Sequence, residues 1–403
     1  MTRLYLAIIL GISALLRIIR LGTPNEVVFD EVYYVDGARD LLANGVELTN
    51  GKPEFVVHPP IGKWMIAIGI KLFGDNPIGW RISAALFGVV SIFLIFLVAR
   101  KLFKSDFLAL LSAALASIDG IHLVMSRTAL LDIFLMTFLL GAFTALIYQK
   151  YLLMALMLGL GLGTKWSALY FIIAIAIYLF IRERRALISY VIVIPSVYLI
   201  SWSGWFLSSN GWDRQSSSNS LLSLFNYHKE ILNFHTGLET DHPYQASPWN
   251  WLILGRPTSF FYDSPKNCGS DNCAQEILAM GTPTIWWLGL ISIFITIGYF
   301  IHRRDKSAGL ILLALLSNYL PWLMFPERTT FYFYAIAFQP YLILAITFAI
   351  KEFLADSQGK RRVWVLSGFS LSALVFLYFL PLYLGTVLTY EAWYSRMWFS
   401  SWI

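Results

Sequence analysis

Charged side chains are scarce in this sequence of 403 residues: Asp, Glu, Lys and Arg make up 13% of it, against roughly 25% in a soluble globular domain. Hydrophobic residues make up 58%, and the mean hydropathy is +0.64. Apolar runs recur along the whole chain, and about 20 such residues suffice for a helix to cross a hydrocarbon core of about 30 Å. The composition therefore excludes an ordinary soluble domain and predicts an all-α integral membrane protein.

Cysteine is also scarce. The two cysteines, Cys268 and Cys273, share one polar segment and have no histidine at metal-binding spacing beside them. The formal net charge of +6 would suit nucleic acid in a soluble protein, but here Lys and Arg cluster at the ends of apolar runs, which is typical of cytoplasmic loops. We therefore expect membrane lipids around the protein, no nucleic acid partner and no metal.

Hydropathy predicts a single polytopic domain over residues 1–403 with about eleven spans, at residues 4–21, 77–99, 107–121, 129–148, 151–163, 168–181, 186–206, 283–301, 308–325, 332–350 and 363–388. A cytoplasmic N-terminus places every basic cluster between spans on one side, as expected for inner loops. Two long loops then lie outside: a first loop, 22–63, and a larger loop, 207–282, between spans seven and eight. The aromatic C-terminal tail also lies outside.

Three polar motifs fall on the predicted outer side. In Phe29-Asp30-Glu31-Val32-Tyr33, two adjacent carboxylates repel each other and are costly beside a bilayer unless they are paired or used, although a solvated loop pair is the plainer interpretation. In His58-Pro59-Pro60-Ile61-Gly62-Lys63, the lysine begins a short apolar helix, where it either holds an anion or extends to the interface.

The third motif runs from Ser126-Arg127 to Leu131-Asp132 at the start of a span, and Arg127 and Asp132 alternatively pair with each other. Arg81 and Lys165 belong to the same outer half of the membrane. A carboxylate is able to remove a proton from a hydroxyl, and several cations stabilise a departing phosphate. These motifs together predict group transfer from a lipid-linked phosphate to an acceptor outside the membrane.

The ordered set of motifs resembles the protein O-mannosyltransferases, membrane-embedded glycosyltransferases of the GT-C type. The matching segments continue along the chain as Gly79-Trp80-Arg81, Thr164-Lys165-Trp166, Tyr227-His228-Lys229, His242-Pro243-Tyr244, Gly255-Arg256-Pro257 and Arg328-Thr329-Thr330-Phe331-Tyr332. The resemblance implies inverting transfer of mannose from a polyprenyl-phosphate-mannose donor to Ser or Thr of exported polypeptides, with the translocation machinery as a further partner. It implies no cofactor and a location in the bacterial cell membrane.

By the same resemblance, Asp30 is the general base, with Glu31 beside it at the acceptor. Arg81, Arg127 and Lys165 are expected to bind the donor phosphate, with Lys63 as a further ligand, and four residues are expected to support the site: His58, Asp132, His242 and Tyr244. Because the outer side permits oxidation, we also expect a Cys268–Cys273 disulfide, with free thiols as the alternative.

Two alternatives stay open from the residues themselves. One is a related transferase that modifies a lipid or glycan. The other is a secondary transporter, in which buried charges line a substrate pathway near the midplane between repeats. The sequence shows no internal repeat, and its charges gather at one face.

Overall fold

The computed structural model describes residues 1–266, 268–355 and 359–403, and its architecture is mostly helical. The helices of the first half are α1 Thr2–Ile18, α2 Glu31–Asn44, α3 Ile61–Phe73, α4 Pro77–Phe103, α5 Asp106–Ser117, α6 Gly120–Met125, α7 Leu131–Ile147, α8 Tyr151–Leu162 and α9 Ala168–Arg182. Those of the second half are α10 Ala186–Ser201, α11 Ser203–Leu207, α12 Ser220–Thr236, α13 Pro283–Arg303, α14 Lys306–Tyr319, α15 Gln339–Leu354, α16 Arg362–Tyr383 and α17 Tyr390–Tyr394.

Within the described residues, four helical segments are long and apolar enough to cross a membrane: α4, α13, α16, and α14 together with the 3₁₀ turn that extends it to Met324. Five shorter apolar helices (α5, α7, α8, α9 and α10) fall below that length. The count of eleven spans therefore stays a prediction, whereas the predominantly helical membrane-protein architecture is clear.

Helices α7 and α15 form the centre of the molecule. Every residue from Leu131 to Leu140 in α7 and from Gln339 to Phe348 in α15 is buried. Around them lie α4, α8, α13 and α14, whose outward faces are apolar and exposed, as expected for helices in contact with lipid. These two helices hold the middle of the bundle, and the polar site forms near their N-terminal ends.

Helix boundaries differ from the hydropathy pattern where a proline or a capping side chain intervenes. The predicted span 332–350 begins with a 3₁₀ turn, Tyr332–Ala337, and becomes α-helical at Gln339. Pro340 explains this, because proline lacks the N–H of a helix interior and is tolerated in the first turn. The first helix likewise ends at Ile18 rather than near residue 21, and Arg20 adopts a left-handed conformation with φ 55°.

Strands form in both outer loops, which corrects the all-α prediction. β1 (Leu48–Thr49) and β2 (Lys52–Pro53) make a short hairpin. In the large loop, β3 (Thr258–Asp263) and β4 (Cys273–Ala279) pair antiparallel, and β5 (Leu388–Thr389), which follows α16, joins the other edge of β4. A disulfide between Cys268 and Cys273 lies where β3 turns into β4.

Arg127 closes the end of α1. Its guanidinium donates to the carbonyl oxygens of Leu16, Arg17, Ile19 and Arg20 at 2.6–3.2 Å. The last carbonyls of a helix have no partner within it, and a cation near them is favourable. Arg127 therefore fastens α1 to the segment between α6 and α7.

Replacing Arg127 with Gln should lower the stability of the protein by at least about 1.5–3 kcal/mol, the worth of one hydrogen bond to a charged group, because four such bonds are disrupted. The thermal unfolding midpoint in detergent measures this. The matched control is Arg20→Gln, because Arg20 is exposed and donates to one carbonyl, that of Gly385. An unchanged midpoint for Arg127→Gln would show that the guanidinium is free for another role.

Candidate active site

Glu31 fixes the start of α2. Its carboxylate, which is fully buried, accepts two hydrogen bonds from Arg81, from Nε at 2.8 Å and from Nη2 at 2.7 Å. It also accepts from the backbone N–H groups of Val28 at 2.9 Å and Ala129 at 2.7 Å. A bidentate pair with two further donors satisfies a buried carboxylate well. Glu31 therefore joins the first outer loop to α4 and to the start of α7.

Arg81 binds groups of the same junction between the first loop and α4. Besides Glu31, its guanidinium donates to the carbonyl oxygens of Leu21, Pro24 and Glu26 at 2.7–3.2 Å, and its side chain is 1% exposed. A guanidinium has five N–H donors, and these contacts occupy the group on every side. The structure thus places Arg81 as a clamp on the first outer loop.

The carboxylate of Asp30, one residue before Glu31, has a different environment. It occupies the N-cap position of α2, yet its side chain caps no helix N–H, because its backbone is helical rather than extended (φ −68°, ψ −6°). Within the described part of the chain, its carboxylate accepts no hydrogen bond. The group is half-buried, and burial raises the pKa of Asp30 to about 6, with Lys165 opposing and Asp132 adding to the shift.

The turn before Asp30 is held by aromatic contacts. Phe29 has a left-handed backbone, φ 49°, which costs a non-glycine residue roughly 1–2 kcal/mol. Its ring stacks on Phe260 with centroids 4.9 Å apart and meets the rings of Phe331 and Phe333 edge-on at 5.6 Å. Each such pair contributes about 0.5–1.5 kcal/mol beyond burial, so the three together offset the backbone cost.

Lys165 and Asp132 form a buried pair next to Asp30. The Lys165 ammonium donates to both carboxylate oxygens of Asp132, at 2.9 and 3.1 Å, and lies over the ring of Tyr334 at 4.3 Å. The alternative pairing of Asp132 with Arg127 is therefore wrong. Asp132 neutralises the charge of Lys165 and holds the ammonium in place, with Asp30 close enough for its charge to be felt.

A cavity of about 180 Å³ opens beside Lys165. Its polar lining includes His58, His235 and Arg328, and its walls are aromatic and aliphatic residues of α9, α12 and the 3₁₀ turn after α14. The Arg328 guanidinium donates to the carbonyl of His235, and no other described residue pairs with it. Arg328 is thus the cation of this cavity whose charge is not neutralised by a carboxylate.

The histidines at the cavity are neutral near pH 7. The rings of His58 and His235 stack at 5.3 Å, and Nδ1 of His58 is buried without a hydrogen-bond partner in the described chain. Burial, together with the charges of nearby Lys165 and Arg328, lowers the pKa of His58 well below its usual value and that of His235 to about 4. These rings therefore supply hydrogen-bonding groups and no additional charge.

Lys63 is engaged in a separate ion pair, whereas His242 and Tyr244 lie near Phe29. Lys63 is 3% exposed and forms a buried ion pair with Glu47, for which Gly37 leaves space, since a Cβ there would collide with both side chains. His242 contacts the ring of Phe331 at 4.9 Å and accepts from the N–H of Tyr244 at 3.1 Å. The structure thus brings His242 beside the Phe29 turn, with Tyr244 next to it, while Lys63 braces the β1–β2 hairpin against α3.

Three site residues had no assigned role in the sequence analysis: Arg328, His235 and Tyr334. Arg328 stood in a recognised motif, but its position beside Lys165 depends on the fold. No group of three or more His, Cys, Asp or Glu suited to a metal ion occurs in the described residues.

Glu31→Gln should destabilise the protein by about 3–5 kcal/mol, because it leaves the buried Arg81 without its counter-charge. The thermal unfolding midpoint reports this. Asp36→Asn is the matched control, since Asp36 pairs with Arg39 at the surface and an exposed pair is worth at most about 1 kcal/mol. Equal, small shifts for both variants would contradict the anchoring role of Glu31.

Three family models match the chain. Residues 221–402 match the C-terminal four TMM region of protein-O-mannosyltransferase, and residues 57–205 and 7–80 match two models of dolichyl-phosphate-mannose-protein mannosyltransferase. The polyprenol-phosphate-mannose–protein mannosyltransferase of Corynebacterium glutamicum is 33% identical over 94% of this chain and 88% of its own length. The protein of the same name from Mycolicibacterium smegmatis is 29% identical over 98% and 92%.

Solved structures share the fold. The S. cerevisiae protein O-mannosyltransferase Pmt1–Pmt2 complex bound to the sugar donor has a TM-score of 0.85 at 14% identity, covering 100% of this chain and 92% of that chain. ArnT from Cupriavidus metallidurans bound to undecaprenyl phosphate has a TM-score of 0.60 at 15% identity, covering 93% and 70%. The relatives are transferases, which leaves the transporter alternative without support. This chain belongs to the protein O-mannosyltransferase family of membrane-embedded glycosyltransferases.

Proposed function

We propose that this protein transfers mannose from a polyprenyl-phosphate-mannose donor to Ser or Thr hydroxyls of exported polypeptides, with inversion at the sugar. The observation that carries the proposal is an unbonded, half-buried Asp30 carboxylate that interacts electrostatically with Lys165, a residue of a cavity that also holds Arg328. Family membership supplies the donor and acceptor classes.

Asp30 is the general base. A useful base has a pKa near the working pH and a lone pair that no other group occupies. The pKa of about 6 leaves Asp30 largely ionised at pH 7 while making it a stronger proton acceptor than an ordinary aspartate. Glu31 is excluded from the same task because four donors fill its carboxylate, so we assign it to positioning.

The balance of charges at the cavity indicates which residues bind the donor phosphate. Lys165 and Asp132 form a neutral pair, whereas Arg328 carries an unbalanced positive charge at the cavity. The donor phosphodiester bears one negative charge, and the leaving polyprenyl phosphate bears more. We therefore assign Arg328, with Lys165, to phosphate binding in place of Arg81 and Arg127, whose donors serve the protein itself.

The reaction forms one bond and breaks one. Asp30 takes the proton of the acceptor hydroxyl, the hydroxyl oxygen bonds to the anomeric carbon, and the bond from that carbon to the phosphate oxygen breaks. The electron pair leaves with polyprenyl phosphate toward Arg328 and Lys165. A base acting on the acceptor, opposite the leaving group, gives inversion without a covalent sugar–enzyme intermediate.

The setting that this function requires is the bacterial cell membrane. We place the N-terminus in the cytoplasm and the active site, the two long loops and the C-terminal tail outside, on the basis of the basic clusters between spans. The acceptor then approaches from the outer side, where His242 and Tyr244 lie beside the Phe29 turn.

Asp30→Asn should lower kcat by about 10²–10⁴-fold, the usual worth of a general base, with little change in protein stability because Asp30 has no bonded partner. Membranes with labelled polyprenyl-phosphate mannose and a Ser/Thr peptide provide the assay. Asp36→Asn on the exposed face of α2 is the matched control. Full transfer by Asp30→Asn would overturn the assignment.

Arg328→Ala should weaken donor binding by about 10- to 100-fold, because a charge-assisted hydrogen bond to phosphate is worth about 1.5–3 kcal/mol. The KM for the donor, compared with Arg328→Lys, measures the loss. Arg39→Ala, which removes an exposed cation, serves as the control. An unchanged donor KM in Arg328→Ala would exclude the phosphate role.

A further inference from the structure

The outer sheet contains a β-bulge close to the site. Along β3, Ser259 pairs with Leu278 and Phe261 pairs with Ile277, so Phe260 is the extra residue with no partner on β4. A bulge changes the direction of a side chain relative to the regular alternation of a strand, and bulges are frequent next to active sites. Phe260 is 4% exposed, which means that the redirected ring packs inward.

The Phe260 ring touches two segments of the site. It stacks on Phe29, directly before Asp30, with centroids 4.9 Å apart and planes 21° apart. It also meets Phe333 edge-on at 5.4 Å, in the 3₁₀ turn that carries Tyr334 over Lys165. Phe260 therefore contacts both the turn that precedes Asp30 and the 3₁₀ turn whose Tyr334 ring faces Lys165.

We propose that Phe260 is a positioning residue for the transfer reaction: its ring holds Phe29 in the left-handed conformation that directs the Asp30 carboxylate into the site. This inference rests on the proposed role of Asp30 as the base. The large outer loop then contributes to the chemistry through a sheet residue that contacts no reacting atom.

Loss of the Phe260 ring should change the backbone conformation of Phe29. Without the stack, Phe29 relaxes out of the left-handed region, since a non-glycine residue disfavours it. Asp30 then moves relative to the groups that face it: Tyr34 of α2, Asp132 of α7, Lys165 and Tyr334. A displaced base loses rate even though donor binding survives, and a displacement of about 1 Å is able to cost up to about 100-fold.

The experiment compares four variants of the full-length protein in the membrane transfer assay. Phe260→Leu removes the ring and Phe260→Tyr keeps it. Phe261→Leu alters the next residue, which makes no ring contact with Phe29. Phe29→Leu removes the ring at a position whose left-handed backbone leucine disfavours. For each variant we measure kcat, the donor KM, the pH dependence of kcat/KM and the thermal unfolding midpoint.

Phe260→Leu and Phe29→Leu should each lower kcat by about 10- to 100-fold with the donor KM within about twofold of wild type. The acidic limb of their pH profiles should move to lower pH, because a better hydrated Asp30 carboxylate has a lower pKa. Phe260→Tyr should restore kcat and the pH profile, and Phe261→Leu should match wild type.

Wild-type kcat in either ring-deletion variant would overturn the proposal. So would equal losses in Phe260→Leu and Phe261→Leu, or a loss of kcat in Phe260→Leu that tracks the unfolding midpoint and leaves the pH profile in place. Asp30→Asn separates the two levels: if it retains transfer, the base itself is misassigned, whereas inactivity of Asp30→Asn with full activity of Phe260→Leu rejects the positioning role alone.

Discussion

The buried Glu31–Arg81 ion pair connects the first outer loop to the helical bundle, and the position of Asp30 depends on it. Removing either partner leaves an uncompensated charge in the interior, which makes the pair a demanding structural constraint. Its geometry explains why two adjacent carboxylates behave oppositely. Glu31 receives four hydrogen bonds and is fixed, whereas the carboxylate of the preceding residue, Asp30, is unbonded among the described residues.

Five cations near the site divide into two groups according to the acceptors that their donors already bind. Arg81, Arg127 and Lys63 are occupied by a carboxylate, by helix-end carbonyls or by both, and they stabilise the fold. Lys165 and Arg328 face the cavity, and among the described residues Arg328 binds a single carbonyl, that of His235 in the last turn of α12, and no carboxylate. The protein itself therefore binds most of these cations, and the positive charge of Arg328 remains for the anionic donor.

The helical architecture and the family are predictable from the sequence, because hydropathy and basic clusters indicate membrane helices and the ordered motifs are typical of the family. The same motifs single out Asp30 and Lys165, whose roles stay predictions. The contacts of Arg81 and Arg127 were not predictable, because their partners lie about 50 and 110 positions away in the chain and sequence spacing does not reveal them. The Phe260 bulge was missed for a similar reason: its meaning comes from the ring of Phe29, more than 200 residues earlier.

The central claim is that an unbonded Asp30, with its pKa raised to about 6 by burial, removes the acceptor proton. The most direct measurement is the pH dependence of kcat/KM in the membrane assay with saturating donor and limiting acceptor peptide. Protonated Asp30 is unable to accept a proton, so the rate should fall about tenfold per pH unit below pH 6 and level off above it. A rate that stays constant down to pH 4, the range of an ordinary aspartate, would contradict the account.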